Sequence, residues 1–237
     1  MEIIGVIVAA GKGVRMGGAI GKQFLPLGGR PILAHTLSGF NESELIDRIV
    51  IVLSAGDIDY FKTEVLSILT LSKEIQVVTG GAHRQDSVYN GLRQIQAKDG
   101  IVLIHDGVRP FVRPEQIAAT VEKARETGAC ILALPVADTL KRVAEDRRIQ
   151  STLERKSVWM AQTPQVFRFS VIWQAHQIAR KAGYIGTDDA QLVERLGLPV
   201  AVVPGSRSNI KITTPEDLEL AEAILATDRF KGRGIFG

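Results

Sequence analysis

The sequence predicts an α/β fold, a three-layer α/β/α sandwich around a mostly parallel sheet. Three observations predict it. Short apolar runs rich in β-branched residues recur along the 237 residues. Most of these runs are continuously apolar rather than alternating, the mark of strands buried on both faces. Amphipathic helical stretches alternate with them. The expected strands are Ile3–Ala9, Arg48–Leu53, 75–79, 101–105, Ala129–Pro135 and 199–203. Pro114–Thr127 reads as a helix, with Ile117, Val121 and Ala124 on one stripe and Glu122, Lys123, Arg125 and Glu126 outside. A second helix is expected over 215–226. Thr214 is its N-cap, Pro215 takes the first helical position, and Asp217 stands three residues after the cap.

Residues 138–167 break this rhythm. The spacing predicts a hairpin in which 139–143 pairs with 151–159 across a turn at 144–148. An excursion of that length inside one domain reads as functional or as an interaction arm. It carries the densest basic cluster, Lys141, Arg142, Arg147, Arg148, Arg155 and Lys156, interrupted by Glu145, Asp146 and Glu154. A solvated hairpin accounts for most of that charge. The tail 231–237 is glycine-rich and expected to be loose.

Composition narrows the function. Apolar residues make up 45% of the chain and aromatics 5%, so the core is aliphatic. The net charge is only +3 and no basic stripe stands out, which argues against nucleic acid as a partner. The single cysteine, Cys130, lies in an apolar run and reads as a core thiol. No stretch approaches the ~20 apolar residues of a membrane span, and Met1 is followed by a strand rather than a basic leader. A cytoplasmic protein without a membrane partner is expected. The histidines, His35, His83, His105 and His176, show no metal-ligand spacing.

The chemistry concentrates after the first strand, from Ala9 and Ala10 through Gly11, Gly13, Arg15, Gly17 and Gly18 to Lys22. Glycines at a strand's carboxyl end let the backbone approach a polyphosphate. Two common loops fail here. A dinucleotide fingerprint needs a small residue where Met16 stands, and an acid at the end of the second strand, where none is found. A P-loop needs Ser or Thr after Gly21-Lys22, and Gln23 follows. What remains is a long loop with three cations, Lys12, Arg15 and Lys22, an inventory that suits a nucleoside triphosphate.

Further motifs extend the reading. They are Gly80-Gly81 with Arg84-Gln85-Asp86-Ser87-Val88, then His105-Asp106-Gly107-Val108-Arg109-Pro110, then Pro135-Val136 with Asp138-Thr139 and Lys141. Thr163-Pro164-Gln165 with Phe167 follows, then Thr187-Asp188-Asp189, and Asn209-Ile210-Lys211-Ile212-Thr213 with Pro215 and Asp217-Leu218. Together with the glycine-rich loop these resemble the 2-C-methyl-D-erythritol 4-phosphate cytidylyltransferases of the non-mevalonate isoprenoid pathway, over about residues 3–226. Gly107-Val108 stands where many members carry two alanines. A sister family acting on ribitol 5-phosphate shares most of these motifs and is the runner-up. A nucleotide-sensing module without catalysis is the third reading, and the joint presence of Arg15, Lys22, Asp106 and Lys211 argues against it.

The resemblance implies a Rossmann-like sheet of the nucleotide-diphospho-sugar transferase type with a β-hairpin dimerisation arm. It implies transfer of CMP from CTP to the acceptor's phosphate, with release of pyrophosphate. By resemblance, Arg15 and Lys22 stabilise charge at the α-phosphate, and Arg155 and Lys211 position the acceptor phosphate. Ala9, Ala10, Gly11, Gly13, Gly80, Gly81 and Ser87 would hold CTP. Asp106, Arg109, Thr139 and Thr187 would hold the acceptor. Magnesium, or another hard divalent cation, is expected with CTP and held mainly by the triphosphate, with Asp106 as the one candidate protein ligand. The arm 138–167 would form a homodimer and carry Thr139 and Arg155 to the partner's site.

Overall fold

The computed structural model describes residues 1–11 and 21–227. Eleven strands are described: β1 (Ile3–Ala9), β2 (Pro26–Leu27), β3 (Arg30–Pro31), β4 (Arg48–Leu53), β5 (Glu74–Thr79), β6 (Ile101–Asp106), β7 (Ala129–Pro135), β8 (Lys141–Val143), β9 (Ile149–Thr152), β10 (Trp159–Arg168) and β11 (Ala201–Pro204). The helices are α1 (Ile32–Asn41), α2 (Ile58–Tyr60), α3 (Arg84–Leu92), α4 (Pro114–Thr127), α5 (Phe169–Lys181), α6 (Asp189–Glu194) and α7 (Pro215–Leu225). Seven strands form one sheet in the order β11-β7-β10-β6-β1-β4-β5. The sheet is mixed: β10 runs antiparallel to both β6 and β7, and the other pairings are parallel.

The continuous apolar runs explain the layering. Along β1, Ile3 and Ile7 face one helix layer while Ile4 and Val6 face the other. The first layer brings Leu33, Leu37 and Phe40 of α1 together with Ile117, Val121 and Ala124 of α4. The second brings Val88 and Leu92 of α3 together with Ile172 and Ala179 of α5 and Leu192 of α6. Alternate residues therefore need to be apolar on both sides. Gly5 is required here by packing, since a Cβ would lie 2.8 Å from the Phe40 ring. α4 begins with Pro114 and ends at Gly128, whose φ of 86° is a left-handed cap.

The expected strands 3–9, 48–53 and 129–135 and the helix 114–127 have the predicted bounds. β5 and β6 are each one residue longer than expected, β11 starts at Ala201 rather than Pro199, and α7 ends one residue early.

The region 138–167 differs more. The hairpin pairs Lys141–Val143 with Ile149–Thr152, not with 151–159. Its turn closes where Ala144 N donates to Arg148 O, with Arg147 at a φ of 64°. The last part of the expected arm is β10, a strand between β7 and β6 in the main sheet. Gln162, Thr163 and Gln165 disguised it as loop. They are buried polar residues satisfied by the chain around them: Gln162 Nε2 donates to Ser206 O at 2.9 Å, and Gln165 Oε1 accepts from Asp189 N at 3.0 Å. The excursion proper thus ends before Trp159.

Candidate active site

The strand order sets the place of the site. From β1 the chain winds outward through β4 to β5, then returns to the other side of β1 as β6. Loops leaving the carboxyl ends of β1 and β6 therefore part in opposite directions, and a crevice opens between them. A cleft of about 290 Å³ lies there, lined by Val8, Ala9, Ala10 and Gly11 at the end of β1 and just beyond it, and by Asp106 and Val108 at the end of β6 and just beyond it. Lys22, Gln23, Ala82, Arg84, Ser87 and Lys211 complete it.

Each wall has a local cause. Gly80 N donates to Leu53 O at 2.7 Å and Gly81 N to Ser87 Oγ at 3.1 Å, which draws this turn over the end of β4. A Cβ on Gly80 would stand 2.5 Å from Ala10 Cβ and 2.8 Å from Ser87 Oγ, so only glycine fits. Lys211 is brought in by its neighbour: Ile212 is buried under Leu27, Ile32 and Phe111, and its N–H donates to Val108 O at 3.0 Å. The following α7 is capped at Thr214, while Asp217 Oδ2 accepts from Thr213 N and Thr214 N.

Asp106 is the electrostatic centre. Its Oδ1 accepts from Arg84 Nε at 3.1 Å, and its Oδ2 faces Lys211 Nζ at 2.9 Å and Arg109 Nε at 3.6 Å. Burial alone would raise its pKa, but Arg84, Lys211 and Arg109 outweigh burial and hold it below the usual carboxylate range. Arg84 also donates through Nη1 to Asp189 Oδ2 at 2.7 Å. Arg84, Arg109 and Lys211, three cations, share two carboxylates, Asp106 and Asp189, so this group carries a surplus of positive charge suited to an anion.

Behind Asp106 runs a neutral chain. Asp106 N donates to Thr163 Oγ1 at 3.1 Å, and Thr163 Oγ1 lies 3.0 Å from His105 Nδ1. His105 Nε2 lies 2.9 Å from Arg109 O. A carbonyl only accepts, so Nε2 carries the proton and Nδ1 accepts from the threonine hydroxyl. Burial pushes the His105 pKa down to about 4, which keeps the ring neutral.

The structure brings together Ala9, Ala10, Gly11, Lys22, Ser87, Asp106 and Lys211, with Gly80 and Gly81 adjoining Ala10 and Ser87. Arg109 stands behind the cleft, donating to Asn209 O at 2.8 Å. Thr187 is bonded to Gln191 Oε1 and lies outside the cleft wall. Thr139 and Arg155 are exposed, and Arg155 donates to Ala137 O, so neither lines the cleft of its own chain. Gly13 and Arg15 lie outside the described residues. The reading of single residues assigned no role to Arg84. A signal was available, because an arginine opening a helix opposes the helix dipole and needs acids nearby.

No group of three or more His, Cys, Asp or Glu among the described residues is arranged to hold a metal ion. Among the described residues Asp106 is the one carboxylate in the cleft wall, and both its oxygens already face cations. The described side chains do not form a metal cage.

A family model described as 2-C-methyl-D-erythritol 4-phosphate cytidylyltransferase matches residues 3–227. The chain belongs to this family. A member from Geobacter metallireducens is 48% identical over 95% of this chain and 98% of its own. Among solved structures, the 4-diphosphocytidyl-2C-methyl-D-erythritol synthase from Anaerococcus prevotii superposes with a TM-score of 0.84 at 35% identity, covering 95% of this chain and 96% of that one. The 2-C-methyl-D-erythritol 4-phosphate cytidylyltransferase from Thermus thermophilus gives 0.78 at 36% identity, with 96% and 100% covered. As a member of the family the chain is a cytidylyltransferase with an α/β nucleotidyltransferase fold.

Proposed function

We propose that the chain transfers CMP from CTP to 2-C-methyl-D-erythritol 4-phosphate, giving 4-diphosphocytidyl-2-C-methyl-D-erythritol and pyrophosphate. The carrying observation is the cationic cleft between β1 and β6, seen in a chain of this family. Its cations converge on Asp106 rather than on a nucleophilic Ser or Cys. No such nucleophile is needed, because a phosphate monoester with a second pKa near ~6 is largely dianionic at pH 7. An acceptor phosphate oxygen attacks the α-phosphorus of CTP. The new P–O bond forms as the bond from the α-phosphorus to the bridging oxygen of pyrophosphate breaks. The protein's part is to bring two anions together and to neutralise the charge that builds on them.

We assign Lys22, with Arg15, to the α-phosphate and Lys211 to the acceptor phosphate. Ala9, Ala10, Gly11, Gly13, Gly80, Gly81 and Ser87 cradle the nucleotide, and Asp106, Arg109 and Thr187 serve the acceptor side. Magnesium is assigned to the triphosphate, since the described residues offer it no cage. Thr139 and Arg155 reach the site of a second copy through the 138–158 excursion, so the working unit is a homodimer. Exposed apolar side chains support this reading: Val143 and Ile149 pair across the hairpin, and Trp159 and Met160 follow it at the start of β10. Mixing a Lys22→Ala chain with an Arg155→Ala chain tests it, because one restored site is expected in each mixed dimer. Mixed dimers without recovered activity would refute sharing.

Among the described residues no helix is long and apolar enough to cross a membrane. The single cysteine, buried and free, agrees with a cytoplasmic setting.

Pyrophosphate release from CTP with 2-C-methyl-D-erythritol 4-phosphate, set against ribitol 5-phosphate, tests the substrate. Release with the first acceptor is expected, and release with ribitol 5-phosphate alone would overturn the assignment. Lys22→Ala is expected to lower kcat by at least ~10²-fold, the scale for one preorganised charge donor. A loss confined to KM would contradict its role at the α-phosphate.

A further inference from the structure

Two buried groups behind the cleft have no part in the chemistry above. Asp189 and His176 have side chains exposed by 1% and 0%. We propose that Asp189, steadied by His176, is a positioning residue: it holds Arg84 so that Asp106 keeps one oxygen for Lys211. The proposal rests on the reading that Lys211 grips the acceptor phosphate.

The geometry makes the case. A guanidinium facing a lone carboxylate turns its fork and takes both oxygens. In that arrangement Arg84 would occupy Asp106 Oδ1 and Oδ2, and Lys211 would lose its anchor. Arg84 is instead spread between two acids, Nε to Asp106 Oδ1 at 3.1 Å and Nη1 to Asp189 Oδ2 at 2.7 Å. Asp106 Oδ2 is left for Lys211 Nζ at 2.9 Å.

Asp189 is in turn fixed from two sides. Its backbone N donates to Gln165 Oε1 at 3.0 Å, and its Oδ1 accepts from His176 Nε2 at 3.0 Å. The other His176 nitrogen, Nδ1, is buried without a partner among the described residues. An unpartnered buried nitrogen is destabilising, so the imidazole at this place is accounted for by its one bond, the one to Asp189. Lys211 is thus set by a chain of four side chains, His176, Asp189, Arg84 and Asp106, reaching back into the second helix layer.

Asp189→Asn and His176→Phe, each alone and each combined with Lys211→Ala, test this. Acceptor KM is taken from steady-state rates, and transfer is followed in single turnover with enzyme in excess over 2-C-methyl-D-erythritol 4-phosphate, so that slow variants still give a rate. Thermal unfolding confirms that each variant is folded. Each single variant is expected to raise the acceptor KM and slow transfer about tenfold, but to change the Lys211→Ala enzyme less than about twofold, the coupling of groups acting through one another. His176→Gln, whose amide nitrogen stands where His176 Nε2 does and offers an N–H to Asp189, should restore part of what His176→Phe loses. Equal factors in both backgrounds would show that the pair only supports the fold and would overturn the proposal. So would Asp189→Asn with wild-type kinetics. Lys211→Ala with an unchanged acceptor KM would remove the acceptor role of Lys211, and the proposal with it. If Asp189→Asn does not fold, the two His176 variants decide by the same comparison.

Discussion

His105 shows how a single side chain links burial to pH. Its pKa is 6.5 when exposed and about 4 in the folded chain, where burial disfavours the imidazolium. Above pH 6.5 both states are neutral and stability is unaffected. Between 6.5 and 4 the unfolded chain takes up a proton that the native ring refuses, so stability falls as pH falls. Below about 4 the loss saturates, at roughly 3 kcal/mol. Urea unfolding from pH 8 to pH 4.5 should show this slope, and His105→Gln should flatten its part. An unchanged slope in the variant would mean that the ring is not held neutral. Asp106 is displaced in the same downward direction, by its cations rather than by burial: the stability it contributes is present above its unfolded value and is lost as pH falls through the folded one. The functional reach of a residue is equally local. Ala9, Gly11, Lys22, Asp106 and Lys211 were legible because each sits in a motif at the end of a strand or beside one. Arg84 was not assigned, since its importance lies in two acids 22 and 105 residues away along the chain.

At the scale of elements, α7 is the support of Lys211. Its first turn is closed by Thr214 accepting from Asp217 N at 3.3 Å and by Asp217 Oδ2 accepting from Thr213 Oγ1 at 2.8 Å. Asp217→Ala removes the half of the capping box that accepts from Thr213 and Thr214, and should cost about 1–2 kcal/mol of stability. It should also raise the acceptor KM, because the segment carrying Lys211 loosens. Denaturant unfolding and steady-state kinetics measure the two effects, and stability lost with an unchanged KM would separate the cap from the site. The hairpin of β8 and β9 makes the opposite demand. Val143 and Ile149 face each other across it, and both are more than half exposed. Ile149→Lys is expected to weaken the dimer at least tenfold in sedimentation equilibrium while leaving monomer stability within about 0.5 kcal/mol, as for an exposed position. A monomeric wild-type chain would refute the arm's role. Periodicity reveals elements only when burial is apolar. It located β1, β4, β7 and α4 to the residue, and it missed β10, where Gln162, Thr163 and Gln165 are buried through hydrogen bonds instead.

At the scale of the whole molecule, a crevice opens in the sheet where its strand order reverses, and the ligand is expected to couple to global stability there. At 100 times its dissociation constant, CTP should stabilise the native state by about 2.7 kcal/mol. For a chain of this length that corresponds to roughly 5–10 °C in Tm. Differential scanning calorimetry with CTP and with UTP reads this directly, and an equal shift for both would contradict selection for cytosine. From the sequence alone came the α/β class, the family, and the strand-end residues of the cleft. These depend on local patterns of hydrophobicity, glycine and charge. Only the tertiary structure decided that Asp106 is shared among Arg84, Arg109 and Lys211, that β10 belongs to the sheet, and that His176 and Asp189 stand behind the site. Those facts depend on contacts between residues tens of positions apart, and pairing across such distances leaves no periodic trace along the chain.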